Sequence, residues 1–339
     1  MKNFYIVVNE KIHKKKNFFY CENKDIQSII NFFSYKYNLF ILSRHSNNIK
    51  PFKLNKIYKV LNFDFSKIFS FVFFLINIEK KKKKILIISI TPFTFIIFFL
   101  FKLFFDCEFY LYLRSNGHEE YKNILGKKYI WIYDFMFRHI TKSCKIISCH
   151  KRIYKKKSYI IQPSEIDSNW EKKIKKNYFN KKIIKILYVG RFKVEKGIYS
   201  LLDIFKKLPD NFRLILVGSG DKLKIKDYRI KVINFIYNTK KLINLYDLSN
   251  IIILPSFTEG HPKILDESLA RMRPVIIFDD IKYVINNRYG VFSSKRNFKE
   301  LIKKIYYIKK NNKIINKRIK KNVLPKKIFF LKELEKIVF

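Results

Sequence analysis

Lys185-Ile-Leu-Tyr-Val-Gly-Arg-Phe-Lys-Val-Glu-Lys-Gly197 opens with an apolar run that stops at a glycine and closes with a polar turn that reaches a second glycine. A short apolar run bounded by a turn reads as a buried strand. The period then changes: Leu201, Leu202, Phe205 and Leu208 recur at helical spacing over 197–208. Strand, glycine turn and helix in that order make the opening of a βαβ unit.

The same alternation runs outward in both directions. Downstream, strands are predicted at 213–217, 231–235, 251–254 and 274–278, with helices over 240–248, 263–271 and 297–310. Upstream, strands are predicted at 4–8, 39–42, 85–90, 109–113 and 145–148. Near-continuous apolar strands alternating with helices imply an α/β fold built on doubly wound parallel sheets covered on both faces. A length of 339 residues favours two domains over one. Ser168 to Lys182 is polar, charged and without period, so the domains are set at 1–170 and 183–321, with a linker over 171–182. The tail from Lys326 to Phe339 again has helical spacing.

Composition excludes several classes. Four cysteines in this length exclude a disulfide scaffold, Cys144 and Cys149 are too far apart for a C-x-x-C pair, and no His/Cys cluster suggests zinc. Lys and Arg number 72 against 27 Asp and Glu, a net charge of +45 that invites nucleic acid as a partner. Only 12 of those 72 are Arg, however, and phosphate and base readout lean on Arg. Ala occurs once, at Ala270, while Lys, Ile, Asn and Phe abound, a bias that matches AT-rich codons. Much of the charge is then compositional, and nucleic acid is not the expected partner. An anionic membrane surface fits better, each Lys near lipid contributing ~1 kcal/mol. The basic, aromatic stretches at 63–74, 80–84 and 93–105 motivate that expectation. Residues 85–103 approach the ~20 apolar residues of a bilayer span, but Pro92 divides them into a strand and a helix too short to cross. The apolar run at 4–8 is too short for a signal peptide. The expected location is cytoplasmic, peripheral on the inner face of the membrane.

Three loops of the second half carry polar chemistry. Gly190 lets backbone approach a ligand, and Arg191 and Lys196 bring two cations to a helix start that is itself electropositive. Carboxyl ends of parallel strands are where open α/β sheets bind ligands, so this loop suits a diphosphate. A solvent-facing Arg and Lys is the plain alternative. Gly218-Ser-Gly220 is a second strand-end loop and, alone, a tight turn. The third is Leu254-Pro-Ser-Phe-Thr-Glu-Gly-His-Pro-Lys-Ile-Leu-Asp-Glu-Ser-Leu-Ala270, with Glu259 before a helix and Glu267 within it. Backbone N–H groups around Gly260, His261 and Lys263 are free to meet an anion, while Pro262 fixes the turn. Glu267 is an acceptor suited to a ribose diol, or else a surface carboxylate.

In order, Gly-Arg with Lys-Gly, Val-Gly-x-Gly, Pro-Ser-x-x-Glu-Gly-x-Pro and Pro274-Val-Ile-Ile resemble the group 1 retaining glycosyltransferases, glycosyltransferase family 4. The likeness covers 185–310 well and the first half loosely. It implies the GT-B architecture, two Rossmann-like domains facing a central cleft, with a C-terminal helix over 322–339 packing back on the first. It implies that Gly190, Arg191, Lys196 and Gly197 bind the donor diphosphate and that Glu267 holds the donor ribose. Glu259 then lies near the transferred sugar, with the Gly260–Lys263 turn donating backbone hydrogen bonds to sugar or phosphate through Gly260, His261 and Lys263 while Pro262 shapes it. Arg191, Lys196 and Glu259 become the catalytic candidates. The implied activity is hexosyl transfer with retention from a nucleotide-diphosphate sugar to a glycan or lipid-linked glycan in cell-surface polysaccharide synthesis. No cofactor and no metal are expected, because two cations meet the diphosphate and no Asp-x-Asp-type motif is evident. No carboxylate is placed as a nucleophile, so same-face transfer is the mechanism the resemblance favours.

The chain departs from the family at three places. Arg271-Met-Arg273 replaces a small-residue segment and is expected to loosen a turn. Asn9-Glu-Lys-Ile-His-Lys-Lys-Lys stands in place of a glycine-rich loop, and Arg114 in place of a histidine after Leu111-Tyr-Leu. Arg114, His118 and Glu119 are the acceptor-side candidates, with His118 also a catalytic one. Arg114 and His118 contact an acceptor or donor phosphate, or Arg114 makes a local ion pair with Glu119 or Glu120. His13, His45, His139 and His150 read as structural or exposed. Two other functions use the same scaffold: a degenerate GT-B binding protein that contacts anionic membrane or nucleic acid, and a nucleotide-sugar epimerase. Intact Arg191, Lys196, Glu259 and Glu267 argue against degeneracy.

Overall fold

A computed structural model of the chain describes residues 1–62, 82–176, 179 and 182–339. The aromatic run at 63–74, Lys80 and Lys81, and linker residues 177, 178, 180 and 181 lie outside the described residues. Contacts divide the chain into two units, Met1–Pro163 with Ile328–Phe339, and Ser164–Lys327. This division falls ahead of the expected linker at 171–182. The reason is Trp170, which is buried in the core of the second unit with its ring edge on Tyr246.

The first unit contains β1 (Asn3–Lys15), β2 (Phe18–Cys21), β3 (Asn38–His45), β4 (Phe52–Leu54), β5 (Lys59–Asn62), β6 (Lys83–Ile88), β7 (Cys107–Leu113), β8 (Cys144–Ser148) and β9 (Tyr159–Ile160). Parallel pairing sets the order β5-β3-β1-β6-β7-β8-β9, and β2 and β4 add an antiparallel extension to β1. β1 therefore runs well past residue 8. Beyond a register shift between Val7 and Lys11 its lysine-rich end pairs with β2 as a hairpin. On one face α1 (Lys24–Ser34) packs Ile26, Ile29, Ile30 and Phe33 on Phe4, Ile6 and Val8. On the other, α2 (Pro92–Phe104) and α4 (Ile130–Ser143) bring Ile97, Phe101, Met136 and Ile140 to Tyr5, Val7 and Ile87, with α3 (Gly117–Leu125) between them in sequence.

Residues 85–103 resolve into β6 and α2. Thr91 ends the strand connection and caps the helix: its hydroxyl accepts from Thr94 N at 3.3 Å, and its own N–H donates to Thr94 Oγ1 at 2.9 Å. Pro92 sits in the first turn, where its missing N–H costs nothing. Among the described residues no helix is long and apolar enough to cross a membrane.

The second unit is a single parallel sheet of β10 (Ile184–Val189), β11 (Phe212–Gly218), β12 (Ile230–Asn234), β13 (Ile251–Leu254), β14 (Val275–Phe278) and β15 (Val291–Ser294). Its order, β12-β11-β10-β13-β14-β15, is the doubly wound arrangement in which strand order reverses between β10 and β13. Ile186 pairs with Ile251 and Leu187 with Ile252, so the loops leaving these two strands open side by side. Helices α5 (Ile198–Lys206), α6 (Thr239–Leu248), α7 (Lys263–Ala270), α8 (Phe298–Lys310) and α9 (Asn312–Ile319) complete the unit. The last helix, α10 (Lys327–Val338), buries Phe330, Leu331, Leu334 and Val338 in the first unit's core.

The segment after α7 is tightened, not loosened. Arg271 and Arg273 are fully buried. Arg271 donates Nε and Nη2 to the Asp247 carboxylate at 3.0 and 2.7 Å, and Nη1 to Trp170 O and Lys172 O at 2.8 and 2.9 Å. Arg273 donates to Tyr246 O at 3.0 Å, Asp247 O at 2.7 Å and Lys175 O at 3.0 Å. The two guanidiniums tie the backbone of 170–175 to α6. Burial pulls the Arg273 guanidinium down to about 10.

Candidate active site

The β10 loop needs its glycines for contact reasons. A Cβ at Gly190 would stand 2.9 Å from Tyr188 Oη, which donates to Arg191 O at 2.7 Å. A Cβ at Gly218 would stand 1.8 Å from Gly190 O. Phe192 N donates to Ser219 O at 2.8 Å, and Asp221 N to Phe192 O at 2.9 Å. The loops after β10 and β11 therefore run backbone against backbone, which makes Gly218-Ser-Gly220 part of one construction rather than a separate turn. Gly197 has φ 67°, and a Cβ there would lie 1.9 Å from Pro255 O, so only glycine fits at the start of α5.

Arg296, just after β15, holds the β13 loop from the other side. Its Nη1 donates to Pro255 O at 2.9 Å and Ser200 Oγ at 2.8 Å, and its guanidinium lies 4.0 Å from the centre of the Phe257 ring. Asp280 anchors it, accepting from Nη2 at 2.6 Å. Phe257 N in turn donates to Glu195 O at 3.1 Å, which closes the β13 loop onto the turn that carries Lys196.

This packing brings two of the candidate residues into direct contact. Lys196 Nζ lies 2.7 Å from Glu259 Oε1, and Ser256 Oγ donates to the same oxygen at 2.6 Å. The two side chains are 22% and 11% exposed, shielded from bulk water yet reachable. The Tyr283 hydroxyl brackets Glu259, accepting from its N–H at 3.0 Å and donating to its carbonyl at 2.6 Å. Arg191 stands on the rim instead, 64% exposed and 3.3 Å from Glu195, a surface pair of small energetic weight.

Behind Gly260 the turn is fixed by a chain of charges. His261 Nε2 is 2.9 Å from Asp266 Oδ2, and Arg288 Nε donates to Asp266 Oδ1 at 2.7 Å. The His261 side chain thus points to Asp266 and secures the turn. Pro262 gives α7 no side-chain cap, so capping side chains do not claim the N–H groups of the first turn. Lys263 is half-buried in that turn, and Glu267 follows one turn later. Glu267 Oε2 accepts from Tyr246 Oη at 2.9 Å. Burial first, then the neighbouring carboxylate, push the Tyr246 hydroxyl well above its usual range, so it stays a proton donor to Glu267.

The first unit separates its candidates. Arg114 Nη2 pairs with Asp25 Oδ2 at 2.8 Å in the first turn of α1, and not with Glu119 or Glu120. Those two glutamates remain in the first turn of α3, where the helix dipole favours them, and Glu119 lies 3.8 Å from Lys122. His118 Nε2 lies 3.3 Å from Asp134 Oδ1, its ring edge-on to Tyr133 and Phe137. His13 Nδ1 is 2.9 Å from Ser46 O, tying β1 to the residue after β3, and His139 Nδ1 is 2.8 Å from Phe135 O, a tie within α4. Near Arg114 stands a residue the sequence did not mark. Glu10 Oε1 accepts from the N–H groups of Glu22 and Asn23 at 2.7 and 2.6 Å, while its Oε2 is buried without a hydrogen-bond partner among the described residues. Burial raises its carboxyl from 4.5 to about 7. Among the described residues no three His, Cys, Asp or Glu side chains gather as a metal-binding group.

Other residues of the second-unit site also escape motif reading. Tyr246, Tyr283, Arg288 and Arg296 lie outside the glycine and glutamate signatures, and Asp266 stands within the second without being singled out; all act by holding the residues around them. Only the alternation of elements that folds them together marks them, and no local pattern does.

Known proteins share this construction. The family described as Glycosyl transferases group 1 matches residues 169–324. An uncharacterized glycosyltransferase of Methanocaldococcus jannaschii is 27% identical over 234 residues, 57% of this chain and 58% of that protein. The amylovoran biosynthesis glycosyltransferase AmsD of Erwinia amylovora is 32% identical over 108 residues, 30% of this chain and 31% of that protein. The chain thus spans little more than half the length of the first relative and about a third of the second. Among solved structures, the Anabaena protein HepE, crystallised in complex with UDP and glucose, matches with a TM-score of 0.69 at 11% identity over 100% of this chain and 99% of that one. At that identity the likeness is one of fold. The second unit thus matches the group 1 glycosyl transferases over residues 169–324, and the fold of the chain is GT-B.

Proposed function

We propose that this protein is a retaining, metal-independent hexosyltransferase. It moves a sugar from a nucleotide-diphosphate sugar to a glycan or lipid-linked glycan acceptor in cell-surface polysaccharide synthesis. The observation that carries this reading is the contact of Lys196 with Glu259 where the β10 and β13 loops meet, the crevice in which open α/β sheets hold nucleotides. The names of the Erwinia and Anabaena proteins, one in amylovoran biosynthesis and one holding UDP and glucose, point the same way.

The donor diphosphate lies along Gly190 and Gly197, where backbone and the start of α5 meet it. Arg191 swings from Glu195, and Lys196 exchanges part of its contact with Glu259 for phosphate oxygen. Glu267, oriented by Tyr246, takes the ribose hydroxyls. Glu259 and the Gly260–Lys263 turn face the transferred sugar. In the reaction the bond from anomeric carbon to phosphate oxygen breaks and the bond from acceptor oxygen to anomeric carbon forms on the same face. The acceptor proton passes to the departing phosphate. Negative charge grows on that phosphate, and preorganised cations stabilise it without reorganisation.

An anionic membrane surface is the expected setting of the acceptor. Trp131 and Phe135 are exposed one turn apart on α4, and Phe99 and Leu103 are exposed on α2, with Lys102 and Lys142 on the same helices. Aromatic and basic side chains together suit the lipid interface.

Release of nucleoside diphosphate from UDP-, GDP-, ADP- and dTDP-sugars, with acceptor lipid extract present, tests the proposal. One donor class should turn over, with product of unchanged anomeric configuration by NMR and a rate indifferent to EDTA. Lys196→Ala should lower kcat roughly 10²-fold, the scale of losing one charge-stabilising donor. No turnover with any donor, or an inverted product, contradicts it.

A further inference from the structure

The first unit holds a cavity of about 450 Å³ that the donor chemistry does not use. Asn116 enters it from the loop after β7, His118 from the first turn of α3, Arg152 and Lys156 from the loop after β8, and Arg138 and Lys142 from α4. It thus runs from the segments that follow β7 and β8 along α4 to Lys142, two residues before β8 begins.

Its lining is one-signed. Arg138, Lys142, Arg152, Lys155 and Lys156 contribute to it, and no carboxylate does. A cavity of about 630 Å³ in the same unit is likewise lined by lysines, Lys2, Lys82, Lys83 and Lys84, without a carboxylate, but it holds no arginine. The cavity of about 760 Å³ in the second unit sets Asp203 and Asp227 among its lysines. Two of the chain's 12 arginines line the cavity of about 450 Å³, and a guanidinium fork matches phosphate oxygens in pairs. Asp134, which contacts two of the lining residues, is engaged by Arg138 and His118. Lys142, Lys155 and Lys156 form no ion pair among the described residues.

The wall after β8 is internally braced. Ser148 Oγ donates to His150 O at 2.8 Å, Ile153 N to His150 O at 3.0 Å, and Arg152 N to His150 Nδ1 at 3.1 Å. The floor is apolar: Phe137, Ile153 and Tyr154 line it, with the two rings 5.9 Å apart. On α4 the exposed Trp131 and Phe135 precede Arg138 and Lys142 on the same helical face, so an apolar stripe leads up to the cationic rim.

We propose that this cavity binds the phosphate or diphosphate ester of the acceptor, its oxygens among the five cations and its organic portion on the apolar floor. The role as acceptor site rests on the glycosyl-transfer reading; the binding chemistry does not. Inorganic pyrophosphate titrated calorimetrically into the full chain tests it, with excess UDP present and, separately, in the Lys196→Ala background so that the donor loop does not contribute. Saturable binding is expected in both, weakened about tenfold by Lys142→Gln/Arg152→Gln and untouched by Lys303→Gln/Lys310→Gln on α8, whose charges are equally numerous. Flotation on phosphatidylcholine vesicles carrying a polyprenyl diphosphate separates the sources. Loss of flotation with the cavity variant assigns a lipid-linked ester, and unchanged flotation with weakened pyrophosphate binding assigns a soluble one. Absence of saturable binding, equal weakening by the α8 control, or loss of binding in Lys196→Ala overturns the proposal. Because pyrophosphate binding needs no UDP response, failure of the transferase reading leaves this result separately visible.

Discussion

Glu267 receives its hydrogen bond from a fully buried phenol, and that single contact links the core of the second unit to a residue proposed to hold ribose. Tyr246→Phe keeps the ring against Trp170 and removes only the hydroxyl. Nucleotide affinity should fall about tenfold with a stability loss of ~1.5–3 kcal/mol, as expected for one hydrogen bond to a charged group. Equal affinity by calorimetry would show that Glu267 is not oriented this way. Glu10 gives a second prediction. Its folded pKa, about 7, lies above its ordinary 4.5 because burial disfavours the charge. Stability from this group is therefore complete below about pH 4.5 and is lost as pH rises through about 7, by up to ~3 kcal/mol. Urea unfolding from about pH 5 to about pH 8 should show the decline in wild type and a flatter profile in Glu10→Gln. Parallel profiles would remove Glu10 as the cause. Both residues were illegible in the sequence for one reason: their partners, Glu267 and Asn23, come from other elements, and no spacing announces the meeting.

At the scale of elements, strands of the second unit were legible because each is a continuous apolar run ending in a turn residue. The predicted 251–254 matches β13, and 185–189 falls within β10. Val291–Ser294 escaped because half of it is serine, so an edge strand carries no apolar run. Ile130–Ser143 escaped for the opposite reason: Trp131 and Phe135 face outward while Tyr133, Met136 and Ile140 face in, which blurs the amphipathic contrast. The α1 helix does show its period, Ile26, Ile29, Ile30 and Phe33, but its Asn23 cap forms no side-chain bond that would sharpen the start. Arg271-Met-Arg273 illustrates a pattern judged by what it lacked. A missing glycine implied looseness, whereas the arginines found buried acceptors at Asp247 and in the 170–175 backbone. Arg271→Met should cost ~3–5 kcal/mol, since it leaves the Asp247 carboxylate, 3% exposed, without its two-pronged partner. A loss below ~1 kcal/mol in denaturant unfolding would mean that water replaces the guanidinium there.

For the whole molecule, two doubly wound parallel sheets follow from alternating strands and helices, and the reversal between β10 and β13 is what gathers glycine, lysine and glutamate into one crevice. The ordered motifs singled out these loops from sequence because they sit at strand ends, and the fold brings Lys196 and Glu259 of two of them into contact. The first unit offered no such contact: Arg114 and His118, four residues apart, pair with Asp25 and Asp134 on different helices. The central claim is that the second unit binds a nucleoside diphosphate through Lys196 and Glu267. Thermal unfolding with UDP, GDP, ADP or dTDP, in wild type and Glu267→Ala, tests it most directly. One nucleotide should stabilise the wild type by ~2.7 kcal/mol at about 100 times its Kd, and the variant much less. No shift with any of the four, or an equal shift in the variant, would contradict the account.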